Sequence, residues 1–183
     1  MIALLSKKQQ KDLLDIARSA VEERIGGVGF KEYNNTDRRL AEPEGAFVTL
    51  RRGGELRGCI GMIEAAKPLW QTVKEMAVEA ATHDWRFMPL EAEELPELEY
   101  EVSVLSRPEK ITDWRKIELG RQGVIVKRDG RSGVFLPQVA KETGWTREEF
   151  LQHLCVDKAG LEPDAYDDPA TELYVFEAQV FGY

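Results

Sequence analysis

The sequence predicts an α+β fold with antiparallel sheets, on three observations. Helical and strand patterns are mixed, without the regular strand–helix–strand alternation that marks a parallel sheet. Two pairs of β-rich runs are separated by only two turn residues, Gly53-Gly54 and Asp129-Gly130, and a two-residue connection joins only antiparallel neighbours. Two capping boxes open amphipathic stretches of helical period.

The elements follow in order. Ser6 with Gln9 forms the first capping box, and Leu13, Leu14, Ala17, Ala20 and Val21 recur at helical spacing until Gly26-Gly27 stops the helix. Residues 28–45 read as a polar, irregular segment that stops at Pro43 and Gly45. "AFVTLRR" and "ELRGCIG" read as two strands joined at Gly53-Gly54, since glycine tolerates the positive φ of a tight hairpin turn. From Pro68 to about Thr82 the period is helical again. Pro68 suits the first helical position, and Leu69, Val73, Met76, Ala77 and Ala80 share a face. His83-Asp84 follows that helix.

"EAEELPELEYEVSVLSRPEKI" reads as an acidic loop entering a strand at about Leu98–Ser106, ended by Pro108. "GVIVKR" and "RSGVFL" form the second hairpin, around Asp129-Gly130. Thr146 with Glu149 is the second capping box, opening a helix to about Lys158 that Gly160 stops. "TELYVFEAQVF" alternates as a terminal strand.

A chain of 183 residues suffices for one domain, or for two small lobes, with a core that needs neither disulfides nor metal. The net charge of −8 repels polyphosphate, and no run of Lys and Arg forms a basic patch, so nucleic-acid binding is not expected. The only cysteines are Cys59 and Cys155, and the only histidines His83 and His153. None falls in a spacing such as CxxC or HExxH, so no metal site is expected, and no cofactor follows from the residues. The opening apolar run is too short for a signal peptide, and no stretch approaches the ~20 apolar residues of a membrane span. A cytoplasmic protein with reduced thiols and no membrane association is expected.

The candidate site lies on the first hairpin. Strict strand alternation puts Leu56, Gly58 and Ile60 on one face, toward the core. It puts Arg57, Cys59 and Gly61 on the other, with Cβ atoms of Arg57 and Cys59 about 7 Å apart. Glycines within a strand mark a bulge or a close approach. A guanidinium beside a thiol favours the thiolate, which makes Cys59 a candidate nucleophile with Arg57 as its stabiliser or as an anion anchor. A free cysteine is equally a small buried hydrophobe, and Arg57 has many acidic groups to pair with. His83 is the candidate base for a Cys–His pair, and otherwise a histidine at a helix end. Cys155 reads as core beside Phe150, Leu151 and Leu154, and His153 as a partly exposed helix residue. The acidic run from Glu91 to Glu101 reads as paired carboxylates or, more simply, as a solvated face.

These residues carry a resemblance. "ELRGCIG" resembles the LRGCIG hexapeptide of the AMMECR family (AmmeMemoRadiSam system protein A). "AATHDWRFMPL", "EVSVLS", "GRSGVFLPQVA", "HLCVDKAGL" and the terminal "TELYVFEAQVF" resemble the same family, so the likeness spans nearly the whole chain. The family usually reads close to DPRFPPL where this chain has Asp84-Trp85-Arg86-Phe87-Met88-Pro89-Leu90. The resemblance implies one domain over residues 1–183, built of two unequal lobes. Each lobe has an antiparallel sheet and packed helices, and a cleft lies between them. The large lobe would take residues 1–106 and 169–183, and the small inserted lobe 107–168. It implies that Leu56, Arg57, Gly58, Cys59, Ile60 and Gly61 mostly face that cleft as a substrate- or partner-binding site. It also implies a modification pathway shared with Memo-type and radical SAM proteins. Two readings of the site stay open beside that one: a Cys-dependent enzyme using Cys59 with Arg57, and a non-catalytic protein-binding module.

Overall fold

The computed structural model describes residues 4–27, 29 and 37–182 of the chain. Of the irregular segment expected at 28–45, residues 28 and 30–36 lie outside the described residues. The fold is α+β, and the strand pairs β1–β2, β1–β3, β4–β7, β5–β6 and β5–β7, numbered in chain order below, are antiparallel. The chain divides into two compact units. One runs to Leu105 and takes in the chain end from Gln179, and the other is Ser106–Ala178.

In the first unit, helix α1 (Lys7–Gly26) starts at the Ser6–Gln9 capping box and stops at Gly27, whose φ is 68°. Strands β1 (Ala46–Arg52) and β2 (Glu55–Met62) form the first hairpin, and β3 (Leu98–Leu105) pairs with the other edge of β1. Helix α2 (Leu69–Thr82) packs on β1, β2 and α1. Register shows why. Ala46, Val48 and Leu50 stand opposite Val104, Val102 and Tyr100, so all six share the inner face, and all are buried. Leu13, Ala17, Ala20 and Val21 of α1 and Leu69, Val73, Ala77 and Ala80 of α2 are buried as the helical spacing predicts. The alanines let the helix backbones approach closely, and each fully buried Leu or Val contributes about 1.5–3 kcal/mol.

In the second unit, strands β5 (Gln122–Arg128) and β6 (Arg131–Phe135) form the second hairpin. A short β4 (Glu109–Ile111) and β5 both pair with β7 (Glu172–Gly182). Helix α3 (Pro137–Thr143), which the spacing does not predict, starts on Pro137 and stops at Gly144 with φ 68°. Helix α4 (Arg147–His153) opens at the Thr146–Glu149 capping box and widens into a π turn, Leu154–Lys158. Val124, Val126, Phe135, Phe150, Leu151, Leu154 and Cys155 are central to this unit's core.

Three expectations need correction. The hairpin β1–β2 does not keep strict alternation. Leu50 stands opposite Gly58 but Arg51 opposite Leu56, so Arg57 is an extra residue, a β-bulge. Opposed residues share a face, so the bulge turns Leu56 to the Thr49 and Arg51 side, where it is 37% exposed instead of facing the core. The return to the first unit comes inside β7, at Ala178/Gln179, instead of at 169. The reason is that Glu172–Glu177 are hydrogen-bonded to β5 and cannot group apart from it. The acidic loop is a 3₁₀ helix, Ala92–Glu97, with Glu94 buried.

Candidate functional site

The hexapeptide occupies β2, which among the described residues pairs with β1 alone and stands at the end of the strand order. Gly53 and Gly54 turn the hairpin with φ of 59° and 80°. Each residue that follows has a distinct task.

Arg57, the bulged residue, leaves the sheet to meet Glu94. Its Nε donates to Oε1 at 2.8 Å and its Nη2 to Oε2 at 2.9 Å, a bidentate pair with both side chains largely buried. Nη1 also donates to the Met88 carbonyl at 2.9 Å. Glu94 accepts further from the Glu91 amide at 3.0 Å and from Arg52 at 3.4 Å. The Arg57 guanidinium holds the Glu94 carboxyl below the usual carboxylate range.

Gly58 lies on the inner face under α2. A Cβ there would sit 2.2 Å from the Ala80 carbonyl oxygen, so the strand and the helix end meet backbone to backbone. Gly61 is similarly closed: a Cβ would sit 2.3 Å from the Phe47 ring. The close approach that the two glycines predict is thus made by the protein's own α2 and Phe47.

Cys59 lies on the outer face. Its amide donates to Asp84 Oδ2 at 2.9 Å, and its carbonyl accepts from Arg86 Nη2 at 3.3 Å. Asp84 and Arg86 therefore satisfy the free edge of β2 at this residue as a neighbouring strand would. Arg86 also grips Asp84 through Nε at 2.9 Å and Nη2 at 2.7 Å. Asp84 is only 5% exposed, and the Arg86 guanidinium beside it holds its carboxyl down at about 2. The Cys59 thiol accepts from Thr49 Oγ1 at 3.3 Å. Burial pushes the thiol up, against the pull of the Thr49 hydroxyl and the Arg86 charge. Across the sheet, Cys59, Thr49 and Glu101 stand opposite one another on adjacent strands and form one polar row.

The cation that bears on the thiol is thus Arg86, whereas Arg57 is committed to Glu94 and the loop. His83 Nδ1 is engaged by Thr82 Oγ1 at 2.8 Å and by Glu79 Oε2 at 3.1 Å, on its own helix. Cys155 is fully buried, and burial pushes its thiol to about 11. His153 stacks on Trp145 at 4.0 Å and pairs with Asp157. Among the described residues no group of three or more His, Cys, Asp and Glu is placed to hold a metal ion, and no helix is long and apolar enough to cross a membrane.

The spacing does not single out Asp84, Arg86 or Glu94, whose side chains build this site. Asp84-x-Arg86 is an ordinary loop pair by sequence, and Glu94 is one of six glutamates between residues 91 and 101. The loop they hold carries its own surface. Phe87 lies under the Arg86 and Arg57 guanidinium groups, 5.5 and 6.0 Å from their carbons. Trp85 and Met88 on either side of it are 91% and 81% exposed.

The family model AMMECR1 matches residues 14–181. Protein MK0488 of Methanopyrus kandleri is 45% identical over 186 residues, covering 97% of this chain and 89% of its own length. A protein of Methanothermobacter thermautotrophicus is 44% identical, covering 98% of this chain and 96% of its own. The crystal structure of uncharacterized protein PH0010 from Pyrococcus horikoshii superposes with a TM-score of 0.89 at 40% identity, over 97% of this chain and 93% of that one.

Proposed function

This chain belongs to the AMMECR1 family, and from that premise we propose that its hexapeptide hairpin and the loop at 84–90 form a protein-binding module. The observation that carries this reading is the pairing of an exposed apolar surface with a rigid support. Trp85, Met88 and Leu56 are three of the few large hydrophobic side chains exposed on the described residues. Aromatic residues and Met are enriched at protein interfaces, and Trp is the commonest kind of hot spot. The loop that presents them is tied down at Asp84, Arg86 and Met88, and by the Leu90 amide on the Ala81 carbonyl at 2.9 Å. A tethered loop loses little entropy on binding. Leu56, Arg57, Gly58, Cys59, Ile60 and Gly61 then act as one binding element. Leu56 extends the contact surface, Arg57 and Cys59 hold the loop, and the glycines seat β2 on its neighbours. Memo-type and radical SAM proteins, the partners implied by the family context, are the first candidates.

A nucleophilic Cys59 has less support. Burial disfavours its thiolate, and its polar contact is a hydroxyl donor and not a base. The test is titration calorimetry of the purified chain against Memo-type and radical SAM proteins encoded in the same genome. Trp85→Ala is expected to weaken binding at least about 30-fold, the range of an interface hot spot. Cys59→Ser is expected to leave binding within about threefold. A partner that binds both variants like the parent, or that is lost only with Cys59→Ser, defeats the reading.

A further inference from the structure

The hexapeptide also supports a second feature, distinct from the Trp85–Met88 surface. An open cavity of about 760 Å³ lies in the same unit, with Arg24, Ile25, His83, Leu90, Glu91 and Glu93 among its lining residues. Its volume is in the range of small-molecule sites. One wall is the carboxyl end of α2, which Gly58 admits against β2. Another is segment 89–93, held at its two ends by Arg57 through the Met88 carbonyl and Glu94. Two hexapeptide residues therefore fix two walls of a cavity that they do not themselves line.

The lining is chemically specific. Arg24 and Glu93 face the cavity, and among the described residues neither has an ion-pair partner. Glu91 adds a second carboxylate. The carboxyl ends of α1 and α2 both border the space, and their last carbonyls carry partial negative charge. Ile25, Leu90 and Pro89 supply apolar wall between the charges. An isolated anion meets one guanidinium here against two carboxylates and two helix ends. A simple amine leaves Arg24 unmatched. We propose that this cavity binds a zwitterion with a cationic head, a free α-amino acid with a basic side chain. Its carboxylate pairs with Arg24, its side-chain cation meets Glu93 and Glu91, and its methylenes lie on Ile25 and Leu90.

Calorimetric titration of the full chain at pH 8 with L-lysine, L-arginine, cadaverine and glutarate tests this. Lysine or arginine is expected to bind saturably, cadaverine at least about tenfold more weakly, and glutarate not at all. A charge-assisted hydrogen bond is commonly worth a factor of that size. Glu93→Gln is expected to weaken lysine about tenfold. Arg24→Gln is expected to erase the difference between lysine and cadaverine. Both residues are exposed, so these variants keep the fold, which circular dichroism checks. Glutarate binding as well as lysine, cadaverine matching lysine in the unaltered chain, lysine binding indifferent to both variants, or no saturable heat with any of the four overturns the proposal.

Discussion

The two hairpins are built on one plan and put it to different uses. Each turns on two residues of positive φ, Gly53-Gly54 in one and Asp129-Gly130 in the other. Each carries a glycine in its second strand against the end of a helix. Gly58 meets the Ala80 carbonyl of α2, and Gly133 meets Lys158 and Ala159 at the end of the π turn. Each unit also holds one free cysteine. The difference lies in regularity and charge. The second hairpin keeps its register from Val124–Phe135 to Arg128–Arg131, and Cys155 disappears into an apolar core. The first is bulged at Arg57, and its outer edge is closed by two ion pairs, Arg57–Glu94 and Asp84–Arg86. A glycine in a strand therefore marks packing in both hairpins, and the bulge with ion pairs along the outer strand edge is what sets the hexapeptide apart.

The largest expected effects lie at the two strand glycines. Gly58→Ala is expected to cost about 3 kcal/mol or more, because its Cβ meets backbone that cannot swing away. Gly133→Ala is expected to cost less, about 2 kcal/mol, since its nearest contacts are longer, at 2.7 and 2.9 Å. Urea denaturation of both variants measures the order. Equal or reversed losses show that the helix ends give way to similar degrees.

Next come the clamp residues, Arg57, Glu94, Asp84 and Arg86, which close the edge of β2, whereas on the second hairpin Arg128 pairs with Asp168 beside the turn. Glu94→Gln leaves Arg57 with half its partner in a mostly buried place and is expected to cost about 2 kcal/mol. An Arg57→Met, Glu94→Leu pair recovering much of that loss in a double-mutant cycle is the signature of a direct couple. Asp84 gives a pH signature. Its carboxyl is held at about 2, below the ordinary 3.8, so the fold favours the ionised form. That contribution is complete above about pH 4 and is lost as the pH falls through 2. Its size is about 1–2 kcal/mol, allowing for the half-exposed Arg86. Asp84→Asn is expected to lower stability at pH 7 by that amount, with the gap from the parent closing between pH 4 and pH 2. A gap constant across that range refutes the assignment.

The smallest effects concern the thiols and the exposed tryptophan. At pH 7.5 Cys59 is expected to alkylate with iodoacetamide several-fold more slowly than a free thiol. Cys155 should react only on unfolding, a ranking that mass spectrometry of native protein reads directly. Faster-than-free alkylation of Cys59 restores the nucleophile. Trp85→Ala is expected to leave stability within about 0.5 kcal/mol, because its side chain is almost wholly in water.

The amino-acid sequence alone specifies the α+β class, both helices of the first unit, both hairpin turns and the caps. These rest on local rules. Ser6–Gln9 and Thr146–Glu149 satisfy helix-end amides within four residues, and Gly53-Gly54 and Asp129-Gly130 supply positive φ at a turn. It also placed the candidate site on the strand holding Arg57 and Cys59. The face of Leu56 was decided by tertiary structure, because one extra residue in a strand reverses every alternation beyond it. So were the partners of that strand. Asp84 and Arg86 are 25 and 27 residues from Cys59, and Glu94 is 37 from Arg57. No local pattern chooses one carboxylate from an acidic run. That choice falls to whichever side chain the packing of α2 against β2 brings to a bulged arginine and an open strand edge.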